Sequence, residues 1–310
     1  AGEAPHAPRR LLFVFLDGVG LGSPDPGVNP LAAAPMPVLT ELLGGPLLAG
    51  LPPVTRAGLV YRPLDATLGV EGLPQSATGQ TTLLTGVNGA ALMHRHYGPW
   101  PGPTLKRVLE EETLFHQAQR LGGARLANAY PDDYFRAMEG RRYRPNAPVV
   151  AARSAAVELR DLEAYRRDEG VAVDLTGERF VRMRPDLAPQ GPRDAARVLA
   201  RLTAGASLTF FDVWLTDVFG HAQDGAEAVA LLARLDALLG SLLELGAGES
   251  FTLLLTSDHG NLEDLSGRGH TENRVPLLVL GPGASEFLEA RSLLDVAPGV
   301  RRFWGDATGA

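Results

Sequence analysis

Polar residues with metal-binding side chains follow several apolar runs of this chain. The runs have the composition of buried strands, and each leads into aspartate or histidine. The residues are Asp17 after LLFVFL, Asp217 and His221 after SLTFFDVWLT, and Asp258 and His259 after FTLLLTS. Carboxylate oxygen and imidazole nitrogen are the usual ligands of Zn²⁺ and Mn²⁺ where cysteine is absent, as it is here. The pattern indicates a metal centre.

His270, in the glycine-flanked segment GRGHTENRVP, brings the set to six. Six ligands divide naturally into two sites of three, and Ser76, in GLPQSATGQTTLLTG, is available as a shared or seventh ligand. Two metals about 3.5–4 Å apart stabilise an in-line displacement at phosphorus. Taken singly, the same residues are typical of helix caps, turns or a solvated pair on one helix face. The combination favours the metal centre, because strands of an α/β sheet bring such residues together.

Composition limits the class of protein. A chain of 310 residues that is 45% hydrophobic suits one large α/β domain, with or without an inserted smaller one. A net charge of -7 and a pI near 5.5 argue against a nucleic-acid partner. LLFVFL is too short to span a membrane, so we expect a cytoplasmic protein without membrane contact. The first residue is Ala rather than Met, which leaves open a removed N-terminal leader.

Strand-like runs alternate with helix-like segments, which predicts an α/β fold: a mostly parallel sheet with helices on both faces. We expect helices at 37–43, from Ser76 onward, at 104–122, 226–246 and 291–305, and a strand within 124–130. The segment 131–200 is charged, rich in arginine and short of apolar strands. It is predicted to be a small helical cap inserted into a catalytic core formed by 1–130 and 201–310.

Five motifs in a fixed order resemble the metal-site signature of the alkaline phosphatase superfamily. They are LDGVG at Asp17, QSATGQ at Ser76, DVFGH at 217–221, TSDHGN at 256–261 and GHT at 269–271. The branch with cofactor-independent phosphoglycerate mutase and phosphopentomutase has similar motifs, LDGWG, NSEVGH, DMVGH and ADHGN. LLDVAP at 293–298 also resembles the closing helix of that branch. The resemblance covers about 11–100 and 204–305 and implies an alkaline-phosphatase-like core.

The resemblance also implies roles for individual residues. One metal ion would be held by Asp217, His221 and His270. The other would be held by Asp17, Asp258, His259 and the Ser76 oxygen. Ser76 matches the nucleophilic serine of the family motif, and Thr78 is the lesser candidate. The cofactors implied are two divalent ions, Mn²⁺ or Zn²⁺, between which these ligands do not choose.

Departures from the family motif favour hydrolysis of a small phosphorylated substrate. Ala77 and Gln80 replace the glutamate and histidine of SEVGH, and the family's active-site lysine has no evident counterpart. A mutase must retain its dephosphorylated intermediate under a closed cap, whereas the predicted cap is short. We therefore expect a phosphomonoester hydrolase that forms a phosphoserine. The alternatives are a phosphosugar or phosphoglycerate-type mutase, a phosphodiesterase, or an inactive metal-binding scaffold.

Contacts to the substrate are harder to predict. Arg95 is a candidate for the phosphate, because a guanidinium grips phosphate through two hydrogen bonds. His94 and His96 could bind metal or phosphate, but surface or loop hydrogen bonding is the more typical role of such residues. The arginines at 141, 142 and 144 would reach an anionic substrate only from the cap. The oligomeric state is not predicted.

Overall fold

The computed structural model describes residues 9–305. Residues 1–8 and 306–310, at the two ends of the predicted core, lie outside the described residues. Seven strands form one sheet in the order β2-β3-β7-β6-β1-β5-β4. The strands are β1 Leu11–Leu16, β2 Val54–Arg56, β3 Leu59–Leu64, β4 Ala124–Leu126, β5 Leu208–Val213, β6 Thr252–Ser257 and β7 Val275–Leu280.

The centre of the sheet is parallel. β1 pairs in parallel with β5 and with β6, and β4 pairs in parallel with β5. Two strands, β7 and β2, run against the others. Every residue of β1, β5 and β6 is buried, as expected for parallel strands covered on both faces. The predicted mostly parallel α/β sheet is confirmed.

Helices cover both faces of this sheet. Before β5 they are α1 Pro30–Ala33, α2 Pro37–Leu43, α3 Ser76–Thr85, α4 Gly89–Met93, α5 Pro103–Glu111, α6 Leu114–Leu121, α7 Asp132–Met138, α8 Ala147–Ser154, α9 Leu162–Arg166, α10 Glu178–Met183 and α11 Pro192–Ala204. After β5 they are α12 Leu215–Ala222, α13 Gly225–Glu244 and α14 Val296–Trp304. One core lies between the sheet and helices that include α3, α8 and α14, and a second lies beneath α2, α11 and α13.

Several expected elements differ from those observed. The segment 104–122 forms two helices, α5 and α6, because Thr113 caps the second one: its side chain accepts from the backbone N–H of Phe115 and His116. The strand expected within 124–130 is only the three residues of β4. The final helix begins at Val296, after a short 3₁₀ turn at Leu293–Asp295. β2 and β3 were not predicted.

The predicted cap segment, 131–200, is helical and carries no strand of the sheet. Helix α8 packs into the first core, and α11 packs against α13 and β5. A separate small cluster lies around Leu162, Tyr165 and Phe180. The boundaries of the cap stay a prediction. Within residues 9–305, no helix combines the length and apolar character needed to cross a bilayer.

Candidate metal centre

The carboxylates of Asp17 and Asp258 lie side by side because the strands before them are neighbours. β1 and β6 pair with Leu16 opposite Ser257, so both strands end at the same edge of the sheet. The Gly18 backbone N–H donates to Asp258 Oδ1 at 3.1 Å and ties the two strand ends together. Asp258 is fully buried, and Asp17 is 9% exposed. The strand register therefore places two buried carboxylates next to each other.

Helix α12 supplies a third carboxylate. Asp217 and His221 are one turn apart, and Asp217 Oδ2 lies 3.3 Å from His221 Nε2. Asp217 Oδ1 lies 3.8 Å from the Nε2 atoms of both His259 and His270. Gly18 leaves room for this carboxylate: its φ is +68°, and a Cβ there would lie 2.5 Å from Asp217 Oδ1. Asp217 thus stands between histidines that come from two different loops.

All three histidines turn the same nitrogen toward these carboxylates. In each, Nδ1 contacts a backbone carbonyl: His221 with Arg268 (2.7 Å), His259 with Gly260 (3.0 Å) and His270 with Pro74 (2.7 Å). A carbonyl only accepts hydrogen bonds, so each Nδ1 carries the hydrogen and each neutral ring keeps its lone pair on Nε2. This arrangement is common in metal-binding histidines, whose second nitrogen is held by a carbonyl or carboxylate.

Two groups of three possible ligands result, and within each group the ligand atoms lie within 4.8 Å of one another. The groups are Asp217, His221 and His270, and Asp17, Asp258 and His259. They adjoin, since the rings of His259 and His270 stack with centroids 3.7 Å apart. The structure therefore brings together all six predicted residues, in the two sets that the family resemblance implied. Their role as ligands stays a prediction.

Burial and the closeness of several carboxyl groups shift the pKa values of the residues in this cluster. Burial, followed by repulsion from Asp258 and Asp217, raises the pKa of Asp17. Burial also raises the pKa of Asp258. Burial lowers the pKa of His259, but the three surrounding carboxylates outweigh it and raise that pKa to about 10. Burial and the neighbouring His259 lower the pKa of His270 to about 4. Carboxylates packed this closely require positive charge among them, which a divalent cation supplies.

Ser76 is the first residue of α3, and Gln75 is the N-cap. The Ser76 hydroxyl lies 3.0 Å from His259 Nε2, and the residue is almost fully buried. Thr78 faces the other way: its Oγ1 accepts from Tyr97 N at 3.1 Å and lies 3.3 Å from Tyr97 O. Of the two candidate nucleophiles, only Ser76 is in contact with the cluster.

Three residues support the cluster, and none of them was predicted from the sequence to have this role, although Gln80 was named as a departure from the family motif. Gln80 Nε2 donates to Asp258 Oδ2 at 3.0 Å and to Asp17 Oδ2 at 3.4 Å. Asn261 Nδ2 donates to Asp217 Oδ1 at 2.7 Å. Asn261 ends the TSDHGN motif, and its position next to the ligands could have indicated this role.

Glu263 is the third of these residues, and it is 1% exposed. Its Oε1 accepts from the backbone N–H of Gly20 (2.9 Å) and Asn261 (2.6 Å). Its Oε2 accepts from Thr271 Oγ1 (2.6 Å) and Asn273 Nδ2 (3.0 Å). The carboxylate therefore ties together the loops after β1 and β6 and the loop before β7, which carry ligands of both groups.

The predicted substrate contacts are not brought to the cluster. The Arg95 guanidinium lies over the Tyr97 ring, 5.3 Å from its centroid. In residues 9–305 no hydrogen bond or ion pair joins Arg95 to the six possible ligands. His94 ends helix α4, and His96 Nε2 contacts the Val70 carbonyl at 2.9 Å. Arg95 as a phosphate contact stays a prediction.

Comparison with known proteins identifies the family. The model of the metalloenzyme superfamily matches residues 9–303. The chain belongs to the metalloenzyme superfamily. This confirms the resemblance to alkaline-phosphatase-like enzymes on which the two ligand sets were predicted. A superfamily of metalloenzymes and a donor set of imidazoles and carboxylates together support the use of divalent metal.

Two alkaline phosphatases of known structure are similar to this chain in fold. The alkaline phosphatase from the Antarctic bacterium TAB5 has a TM-score of 0.54 at 12% identity, with 96% of this chain and 99% of that chain covered. The cold-active alkaline phosphatase of Shewanella sp. has a TM-score of 0.56 at 12% identity, with 95% and 99% covered. At such identities the likeness shows the fold alone.

The curated relatives are 2,3-bisphosphoglycerate-independent phosphoglycerate mutases. That of Wolinella succinogenes is 31% identical over 128 residues, which are 39% of this chain and 26% of the relative. That of Paracoccus denitrificans is 29% identical over 189 residues, 52% of this chain and 37% of the relative. The chain thus spans well under half the length of these relatives.

Proposed function

We propose that this metalloenzyme is a phosphomonoester hydrolase that uses two divalent ions and forms a phosphoserine at Ser76. The observation that carries the proposal is the common orientation of the three imidazoles. Their Nε2 atoms all face the three carboxylates, and that of His259 also faces the Ser76 hydroxyl, as expected of imidazoles that bind metal ions.

One ion would be held by Asp217, His221 and His270, and the other by Asp17, Asp258, His259 and Ser76 Oγ. When bound, the ions supply positive charge that favours the deprotonated hydroxyl and offsets the charge of the phosphoryl oxygens. Imidazole with carboxylate suits Mn²⁺ and Zn²⁺, and both belong to the proposal.

Helix α3 orients the nucleophile and offers hydrogen bonds to the phosphate. The backbone N–H groups of Ser76 and Ala77 open the helix and have no acceptor within the described part of the chain. A Cβ at position 98 would lie 3.1 Å from Ser76 N and 3.2 Å from Ala77 N, so a larger residue than Gly98 would crowd both groups. A helix N-terminus of this kind favours an anion.

The reaction has two balanced steps. Ser76 Oγ loses its proton and bonds to phosphorus, the phosphorus–oxygen bond to the leaving group breaks, and the leaving alkoxide takes up a proton. Water then attacks the phosphoserine, which releases inorganic phosphate and restores the hydroxyl. Gln80 holds Asp17 and Asp258 in place through both steps without titrating.

The test compares an aryl phosphate monoester with the matching diester, using protein loaded with Mn²⁺ or with Zn²⁺. We expect monoester turnover that Ser76→Ala lowers at least about 1000-fold, with the exposed Ser23→Ala as the control. Trapped phosphoserine at position 76 would support the intermediate. Undiminished turnover in Ser76→Ala would refute the serine mechanism.

The same experiment separates the alternatives. Preference for the diester would indicate a phosphodiesterase. Return of the phosphoryl group to a second hydroxyl of a substrate would indicate a mutase. Two bound ions without turnover of any ester would indicate a metal-binding scaffold.

A further inference from the structure

A cavity of about 830 Å³ opens beyond the ends of β4 and β5, and its lining contains none of the six possible metal ligands. It is lined from β4 by the residues that follow that strand, including Tyr130, and from β5 by Trp214 and Leu215. β5 is the neighbour of β1, whose end carries Asp17. Trp214 is the N-cap of α12, the helix that carries Asp217. The cavity and the metal centre therefore share one edge of the sheet and one helix.

Aromatic rings form much of the cavity wall. Tyr130 and Tyr134 stack with centroids 4.5 Å apart, so their orientation is fixed. Trp100 follows the segment that contacts the start of α3 and is 49% exposed. Trp214 adds a second indole. Rigid aromatic faces of this kind pack against the apolar face of a ring in a ligand.

The charged residues of the wall balance one another. Four arginines and four carboxylates line the cavity: Arg144, Arg179, Arg182 and Arg234, and Asp133, Asp174, Glu178 and Glu227. Across the described residues, none of these eight forms an ion pair. Arg144 and Arg234 donate to backbone carbonyls, and Asp174 accepts from two backbone N–H groups. The other five side chains, two arginines and three carboxylates, form no hydrogen bond within the described residues, so both donors and acceptors are available to a ligand. A hydroxyl both donates and accepts, so such a wall suits many hydroxyls better than a second anion.

We infer that the cavity binds the leaving group of the substrate, and that this group is an uncharged, hydroxyl-rich glycoside of two rings. The inference rests on the proposed phosphomonoesterase activity and adds the substrate class. The volume is in the range of pockets that enclose drug-sized ligands, which a three-carbon acid would leave mostly empty. The metal centre binds the phosphate, and the balanced, aromatic cavity binds the rings.

The test measures kcat/KM for three esters: a disaccharide 6-phosphate, glucose 6-phosphate and glycerol 2-phosphate. An aryl phosphate is measured in parallel. We expect the disaccharide ester to exceed glycerol 2-phosphate at least about tenfold, because only the disaccharide has rings that can stack, and it has more hydroxyls than glycerol. Equal values for the three natural-type esters, with the aryl ester cleaved, would overturn the inference and leave the proposed function standing. No cleavage of any ester would overturn both.

Two variants locate the effect. Trp100→Ala and Arg179→Gln should each lower the preference for the disaccharide ester over glycerol 2-phosphate several-fold, mainly through KM. Arg201→Gln, an exposed arginine of α11 outside the cavity, should leave the preference unchanged. Binding of the free disaccharide to Ser76→Ala protein, measured calorimetrically, should weaken in the same two variants. Binding that is unaffected by either substitution would place the sugar elsewhere and refute the assignment.

Discussion

Replacing Glu263 by Ala should loosen the metal centre although Glu263 contacts none of the six possible ligands. Its carboxylate accepts four hydrogen bonds, two of them from the buried backbone N–H groups of Gly20 and Asn261. Alanine leaves both N–H groups without an acceptor, at about 1–3 kcal/mol each. The expected loss is therefore about 2–6 kcal/mol, a large part of the roughly 5–15 kcal/mol that holds a domain folded.

Glu263→Gln is the matched control. Glutamine keeps one carbonyl oxygen for Gly20 and Asn261, and its NH₂ group faces Thr271 and Asn273, which can turn to accept. We expect Gln to cost less than half as much as Ala. The contrast therefore separates hydrogen-bond geometry from the negative charge.

The assay is the thermal midpoint of metal-free protein, followed by calorimetric titration with Mn²⁺. At about 2–4 °C per kcal/mol, Glu263→Ala should lower the midpoint by at least about 5 °C. It should also weaken Mn²⁺ binding about 10–100-fold, as loss of a group that orients ligands does. An unchanged midpoint and affinity in Glu263→Ala would refute the reasoning. Equal loss in Gln and Ala would show that charge, and not geometry, is what Glu263 contributes.

Three further predictions concern the cluster and its surroundings. Asp217→Asn should lower bound Mn²⁺, measured by elemental analysis, from about two ions per chain to one or fewer, because Asp217 adjoins both groups. Gly18→Ala should destabilise by more than the roughly 1–2 kcal/mol of a left-handed backbone and weaken Mn²⁺ binding. Gly58→Ala, with φ +73° and open space around its Cβ, should show only the backbone cost. Burial raises the pKa of Asp212 to about 7, so folded protein keeps this proton over about pH 4–7 and stability falls as pH rises through that window. Asp212→Asn should remove that slope from the thermal midpoints.

The candidate metal centre could be predicted from the sequence because most of its possible ligands follow strands directly. Asp17 and Asp258 follow apolar runs, and parallel strands with buried faces end at one edge of the sheet. The spacing of Asp217 and His221 gives one helix face directly. The positions of these residues depend on local spacing and on the order of the strands, and both can be predicted from the sequence.

Other parts of the fold depend on contacts between distant segments. β2 has only three residues and β3 contains Arg and Pro, and both strands are held in the sheet by the pairing of β3 with β7. The role of Glu263 could not be predicted from the sequence, because its hydrogen bonds join loops that only the fold brings together. The break between α5 and α6 was local and could have been found, since Thr113 and His116 form a capping box. The size and lining of the cavity follow from how the 131–200 segment folds over the sheet, which no spacing predicts.

The metal centre also explains how an acidic chain could bind phosphate. Asp17 and Asp258 are buried at a cost, because burial raises the pKa of both carboxyls and the charge of Asp258 raises that of Asp17 further. A binding site for an anion beside them would be unfavourable if these carboxylates were the only charges. The two divalent cations of the proposed function would reverse the sign of the field at Ser76, at the N-terminus of α3. Holding the carboxylates together thus lowers the free energy of unfolding of the metal-free protein, and metal binding would raise it again. Metal affinity and thermal stability should consequently change together in every variant that moves a ligand of this centre.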